Sequence, residues 1–190
     1  MIPTQRDADS GAATAQEPAT AWALAARSGD PLAQAAFVRA TQAEVWRFTA
    51  ALVDAGSADD LTQETYLRAF RALPGFEGRA SARTWLLGIA RRACADHLRT
   101  VVRRRRLDAR LAASARAETT TPDPAGQYGA ADLLRRLPGD RRSAFALTQV
   151  LGLSYAEAAE VEGVPVGTIR SRVARARADL VEALGAALAS

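Results

Sequence analysis

Apolar residues recur along this chain at three- and four-residue steps, with polar residues between them, which is the pattern of amphipathic helices. A short helix is predicted from a Thr20 cap to about Ser28, broken by Gly29-Asp30-Pro31. Asp30 is placed to cap the next helix, and Pro31 suits its first turn. That helix runs to about Val53 and turns Ala36, Phe37, Ala40, Val45, Phe48 and Leu52 inward. Asp54–Gly56 reads as a loop. Ser57 is expected to cap a third helix, Ala58 to Leu73, with Tyr66, Leu67, Phe70 and Leu73 on its apolar side. Asp59 and Asp60 fall in its first turn, where acids oppose the positive end of the helix dipole. Asp60, Glu64, Arg68 and Arg71 share another face. After Pro74-Gly75, residues 76–82 read as a loop. A fourth helix is predicted from about Arg83 to Val102, with Trp85, Leu86, Ile89, Ala93 and Leu98 inward.

The period then disappears. Residues 103–127 hold four consecutive arginines followed by Ala, Thr, Pro and Asp, and read as a flexible linker. Residues 1–18 have no period either and read as a disordered tail. A second helical unit follows, with helices at about 128–136, 139–151, 154–162 and 165–186. No alternating β-branched run of useful length appears. The expected fold is all-α: two small helical domains, residues 19–102 and 128–190, joined by the linker.

Composition narrows the chemistry. Cys94 is the only cysteine and His97 the only histidine. An intrachain disulfide, a cysteine-based zinc site and a Ser-His triad are therefore set aside, and no metal or other cofactor is expected. Neither clustered acids nor a phosphate-cradling glycine loop points to a nucleic-acid enzyme. No run is long enough to span a membrane, and the N-terminus lacks an apolar signal core, so the chain reads as soluble and cytoplasmic.

All 25 basic residues are arginine, which a GC-rich genome would also produce. Their distribution says more. Residues 79–116 hold eleven arginines against Asp96 and Asp108, a net of +9, whereas residues 1–78 carry a net of −4. Such a block suits a polyanion. For Arg103–Arg106 alone, a solvated linker explains the charge as well.

The most informative segment is 154–177. Ser154 and Glu157 form a capping-box signature, Gly163 permits a sharp turn, and Pro165 suits the start of the next helix. Val166, Ile169, Val173 and Leu180 give that helix an apolar side. Thr168, Arg170, Ser171, Arg172, Arg175 and Arg177 lie opposite, with no acid among them. A helix-turn-helix places such a helix in the DNA major groove. Arginine there bonds guanine edges and pairs with phosphates. An ordinary helical hairpin with a solvated basic face is the plainer alternative.

Asp59-Asp60-Leu61-Thr62-Gln63-Glu64-Thr65-Tyr66-Leu67-Arg68-Ala69-Phe70 resembles the region 2 core-binding helix of bacterial extracytoplasmic-function (ECF) sigma factors. Arg83-Thr84-Trp85-Leu86-Leu87-Gly88-Ile89-Ala90-Arg91 resembles their promoter-melting helix. Leu151 through Arg172 resembles their region 4, and the likeness is nearest the SigC-like actinobacterial members. The resemblance covers about residues 20–102 and 128–187. It implies an initiation subunit of RNA polymerase rather than an enzyme, with no small-molecule substrate. Core RNA polymerase and promoter DNA are its implied partners, together with an anti-sigma factor.

Asp60, Gln63, Glu64 and Arg68 are the implied polymerase-binding residues. Phe76, Arg79, Ser81, Trp85, Arg91, Arg92, Asp96 and Arg99 are those implied for binding and melting the −10 element. Thr168, Arg170, Ser171, Arg172, Arg175 and Arg177 are those for the −35 element. Two simpler accounts stand beside these assignments. The acids of the third helix can serve their own helix N-terminus, and Trp85, lying in an apolar stripe, is more readily core than a DNA-stacking residue. Arg92 stands where many members carry a polar amide. The competing function is a helix-turn-helix regulator acting without polymerase.

Overall fold

The computed structural model describes residues 18–114 and 130–188. Residues 1–17 of the expected tail and residues 115–129 lie outside the described residues, while Pro18, expected in the tail, opens the first helix. Eight α-helices make up the described part, with no strand among them: α1 (Pro18–Ala25), α2 (Pro31–Leu52), α3 (Ala55–Ala72), α4 (Ala82–Ser114), α5 (Ala130–Arg136), α6 (Gly139–Phe145), α7 (Tyr155–Glu162) and α8 (Val166–Leu188). None is long and apolar enough to cross a membrane.

The helix starts show where local chemistry decides. Asp30 caps α2 by accepting from Leu32 N at 2.9 Å, with Pro31 in the first turn. Asp54, rather than Ser57, caps α3: its Oδ1 accepts from Ser57 N at 3.0 Å, so the helix begins at Ala55. Thr20 does not cap α1. It lies buried inside that helix, and its Oγ1 accepts from Ala82 N at 2.9 Å, tying α1 to the start of α4. Ser81 Oγ accepts from Thr84 N at 3.1 Å and closes the first turn of α4.

The N-terminal unit packs α2, α3 and α4 around Phe37, Val45, Phe48, Leu61, Leu73 and Leu86, all buried. Ala40 is exposed instead of buried, and Thr41 takes the inward position. Its hydroxyl is satisfied by Phe37 O at 2.8 Å and Tyr66 Oη at 2.7 Å. Leu67 also departs from expectation. It is 45% exposed while Ala58, Leu61, Thr65, Tyr66 and Ala69 face the core. The apolar side of α3 is therefore rotated toward its small residues.

Helix α4 does not stop at Val102. It continues to Ser114, so residues 103–114 are helical where the sequence reads as linker. Nothing in Arg103–Arg106 breaks a helix, since arginine is a good helix former. Loss of apolar period signals loss of a packing partner, and a helix can outlast its partner.

In the C-terminal unit α6 runs into a π-type turn over Ala146–Val150, closed by Leu151 N donating to Ala146 O at 3.0 Å. Ser154 and Glu157 form the expected capping box, with Ser154 N donating to Glu157 Oε2 at 2.8 Å. Gly163 takes a left-handed φ of 66° and ends α7. Helix α8 buries Ile169, Val173 and Ala176, while Val166 is 41% exposed.

The two units pack on each other, and their buried apolar residues form one cluster. Helix α7 lies against α4, and α5, α6 and the π-type turn lie against α2. This accounts for the first half of α4 being apolar nearly all round, with Leu86, Leu87, Ile89, Ala90, Ala93 and Cys94 buried.

Candidate nucleic-acid and partner interfaces

Three surfaces carry the sequence-predicted residues. The first is the outer side of α3, where Asp60, Gln63 and Leu67 are exposed. Glu64 is less free. Its Oε1 accepts from Arg68 Nε at 2.8 Å, and Arg68 Nη1 reaches Asp96 Oδ2 on α4, also at 2.8 Å. Arg68 is thus a strut between two helices. It is the main reason the Asp96 carboxyl stays below the usual carboxylate range, with Arg99 adding to the effect.

The second surface joins the turn after α3 to α4. Phe76 is buried, and its ring packs on Trp85 at 4.9 Å between centroids, inclined by 42°. Phe76 is therefore a floor rather than an exposed base-stacking residue, and half-buried Trp85 covers it. Above them lies an open cleft of about 380 Å³, lined by Gly75, Phe76, Glu77, Gly78, Arg79 and Trp85. Arg79 is almost fully exposed and paired with Glu77. Ser81 is half-buried, and its hydroxyl meets Thr84 Oγ1 at 3.0 Å.

Along α4, Arg92 and Arg99 are exposed, with Arg99 paired to Asp96. Arg91 is different. Its Nε lies 2.8 Å from Oε1 of Glu162, at the end of α7. Its N–H does not point along that contact, so this is charge pairing rather than a directed hydrogen bond. Arg83 also crosses between the units: it grips Glu44 of α2 with Nε and Nη2, and Nη2 donates to Leu151 O at 2.7 Å. From the other side, Arg142 donates to Leu52 O at 2.8 Å and to Arg135 O at 2.6 Å. Burial holds the Arg142 guanidinium below its ordinary range, and the neighbouring charge of Arg135 adds to the effect.

The third surface is α8. Arg170, Ser171, Arg175 and Arg177 are exposed, opposite Ile169, Val173 and Ala176. Thr168 is half-buried, and its carbonyl accepts from Ser171 Oγ at 2.9 Å. Arg177 donates to Gln149 Oε1 at 2.7 Å. Arg172 does not face outward with the others. It pairs with Glu162 at 3.2 Å and Asp140 at 3.3 Å, bracing α8 against α6 and α7.

Sequence reasoning missed Glu162, Arg83 and Arg142. Glu162 is buried and held by Ser143 Oγ at 2.5 Å, by Arg172 and by Arg91. The signal for Glu162 was its spacing: unlike Glu157 and Glu160, it falls three and four residues after Ala159 and Ala158, on the buried side of α7. Arg83 stood only as the first residue of the promoter-melting motif, and nothing marked Arg142; the partners of both come from distant segments. No cluster of metal-ligating side chains occurs among the described residues.

A small helical domain with an exposed acidic helix and a basic helix, joined to a helix-turn-helix, defines a promoter-recognition subunit. Family models agree: residues 37–106 match sigma-70 region 2, and residues 130–180 match sigma-70 region 4. The chain belongs to the sigma-70 family and is an ECF sigma factor, a polymerase-binding subunit of transcription initiation.

It is 53% identical over 171 residues to the ECF RNA polymerase sigma factor SigC of Mycobacterium tuberculosis (strain CDC 1551 / Oshkosh), covering 87% of this chain and 90% of that protein. It is 32% identical over 166 residues to the ECF RNA polymerase sigma-E factor of Escherichia coli (strain K12), covering 80% and 86%. Among solved structures, the sigma factor RpoE in complex with the anti-sigma factor NepR from Bartonella quintana aligns with a TM-score of 0.59 and 30% identity, covering 78% of this chain and 94% of that one. CnrH in complex with the cytosolic domain of CnrY aligns with a TM-score of 0.67 at 24% identity, over 90% and 99%, and shows a shared fold. The reading as a regulator acting without polymerase is not favoured.

Proposed function

We propose that this sigma factor docks core RNA polymerase through the outer side of α3, chiefly Asp60, Gln63 and Leu67. The cleft over Phe76, with Arg79, Ser81, Trp85 and the Arg92/Arg99 side of α4, then engages the −10 element and holds it open. Unpairing costs a few kcal/mol, which a fitted pocket and phosphate contacts offset. Helix α8 reads the −35 element with Arg170, Ser171 and Arg175, while Arg177 and Thr168 contact phosphates.

One observation carries this reading: the row of exposed arginines on α8, backed by buried Ile169, Val173 and Ala176, in a helix-turn-helix whose cap and turn geometry are complete. Arg91 can join the DNA surface only by leaving Glu162. Arg172 serves the fold of the helix-turn-helix instead. The chain acts in the cytoplasm, without enzymatic activity of its own. Its activity is held in check by an anti-sigma factor, in keeping with the complexes that similar sigma factors form.

The test is reconstitution. Purified chain added to core RNA polymerase is expected to give promoter-dependent transcripts from a cognate template and none from a scrambled one. Tight operator binding by the chain alone, with no effect on polymerase, would return the reading to a free-standing regulator.

A further inference from the structure

Helix α4 outlasts the domain it belongs to. Its first half is packed, but every residue from Val102 to Arg110 is exposed. Arg92 is followed by Arg99, Arg103, Arg106 and Arg110 at steps of seven, four, three and four residues. At helical geometry these five side chains start within a sector of about 60° and run for about 27 Å along the axis. Arg92, Arg103, Arg106 and Arg110 form no ion pair among the described residues. Asp96 is the acid on this side, and it is already paired with Arg68 and Arg99. Arg104, Arg105 and Asp108 point elsewhere around the helix.

We propose that this stripe is a phosphate track for double-stranded DNA, lying upstream of the segment that is melted. The inference rests on the sigma-factor reading and extends its −10 surface. Three features choose the occupant. The row is continuous with Arg92 and Arg99, so DNA held at those residues is carried onto Arg103. The charge is of one sign and regularly spaced, as a polyanionic backbone requires. Among the described residues of this half no aromatic side chain stands on the helix, so it offers unpaired bases no stacking platform. The segment that reads as linker is thus, up to Ser114, a rigid arm fixed to the melting domain.

The experiment compares three full-length chains on core RNA polymerase: wild type, Arg103→Gln/Arg106→Gln/Arg110→Gln, and the off-stripe control Arg104→Gln/Arg105→Gln. Glutamine keeps helix propensity, which circular dichroism checks. Promoter affinity is measured against salt concentration. The stripe variant is expected to bind core normally, to lose roughly tenfold or more in promoter affinity, and to reduce the log–log salt slope by about 2–3, near 0.9 for each phosphate no longer neutralised. The control should stay near wild type. On a promoter fragment ending at the upstream edge of the melted segment, stripe variant and wild type should coincide.

An unchanged slope, or an equal loss in the control, overturns the proposal. Weakened core association would assign the stripe to a protein partner, and a loss that persists on the truncated fragment would assign it to the unpaired strand. If wild type binds no core at all, the sigma-factor reading fails by itself. The stripe is then judged on bare duplex DNA with the same three chains, where the slope difference must still appear.

Discussion

Arg91 Nε of α4 lies 2.8 Å from Oε1 of Glu162 at the end of α7, and the Glu162 side chain is fully buried. One partner belongs to the N-terminal unit and the other to the helix-turn-helix. Glu162 also binds Ser143 and Arg172, so its charge stays compensated inside the C-terminal unit when Arg91 departs. The pair therefore joins the units without being needed for either fold.

Removing Arg91 should loosen that junction. Loss of one member of a buried pair costs up to about 3–5 kcal/mol, and the remaining Arg172 places this case toward the low end. Arg91→Ala is expected to raise the radius of gyration in small-angle scattering and to speed alkylation of Cys94, which faces Gly139, Asp140 and Ser143 across a crevice between the units. Because the carboxylate is buried, salt at moderate concentration should leave wild type compact. An Arg91→Ala chain as compact and as slowly alkylated as wild type would show that the apolar contacts alone hold the units together.

Docking on polymerase should depend on a different side. Asp60→Arg with Leu67→Asp changes two exposed residues that take no part in the core, and folding stability should move by less than about 1 kcal/mol. The same variant is expected to stop co-eluting with core polymerase. A thermal melt run beside the binding assay separates lost docking from lost folding. A normally melting variant that still binds core at wild-type affinity removes α3 from the docking surface.

On α8 the arginines should divide by role. Arg175→Ala is expected to cost roughly 1–3 kcal/mol on cognate promoter and to relax preference, whereas Arg177→Ala weakens all sequences alike. Arg172→Ala should instead lower the melting temperature, because it leaves Glu162 with less compensation. Competition between cognate and scrambled DNA in the polymerase-bound state distinguishes the first two, and equal losses for Arg175→Ala on both would reject its assignment.

Stability should fall at both ends of the pH scale for separate reasons. Asp96 is held below its ordinary range, first by Arg68 and then by Arg99, and Asp54 by Ser57. A depressed carboxylate stabilises the fold above its unfolded pKa, near 4, and that contribution is lost as pH falls through the folded value. Burial pushes the Cys94 thiol from 9.0 to about 12 and the Tyr66 hydroxyl from 10.0 to about 12. These groups favour the folded state below their unfolded values, and the benefit drains away as pH rises from about 9 toward 12. Thermal melts from pH 3 to 11 should show both declines. Cys94→Ala should flatten the alkaline limb, and Asp96→Asn the acid one.

Much of the fold was legible because it is local. Asp30 and Pro31, or Ser154, Glu157 and Gly163, specify a helix start or a turn through contacts within a few residues. The start of α3 was misplaced by such a contact, since Asp54 and Ser57 can both cap and only geometry chooses between them. The exposed row on α8 was likewise legible, except for Arg172, whose partners Glu162 and Asp140 lie on other helices.

Residue order was enough to specify the helices, the two units, the family and most of the charged surface, because periodicity, caps and short motifs are properties of neighbours along the chain. Long-range packing settled the rest: that the two units close on each other, that Arg91, Arg83 and Arg142 are engaged in that closure, and that Phe76 is a floor. That α4 runs on to Ser114 as an arginine-lined arm is a local matter again: arginine is a good helix former, and the lost apolar period marked only the loss of a packing partner. An arginine carries the same charge in any pattern. Whether it meets water, DNA or a buried carboxylate depends on what distant segments bring beside it, and no local pattern records that.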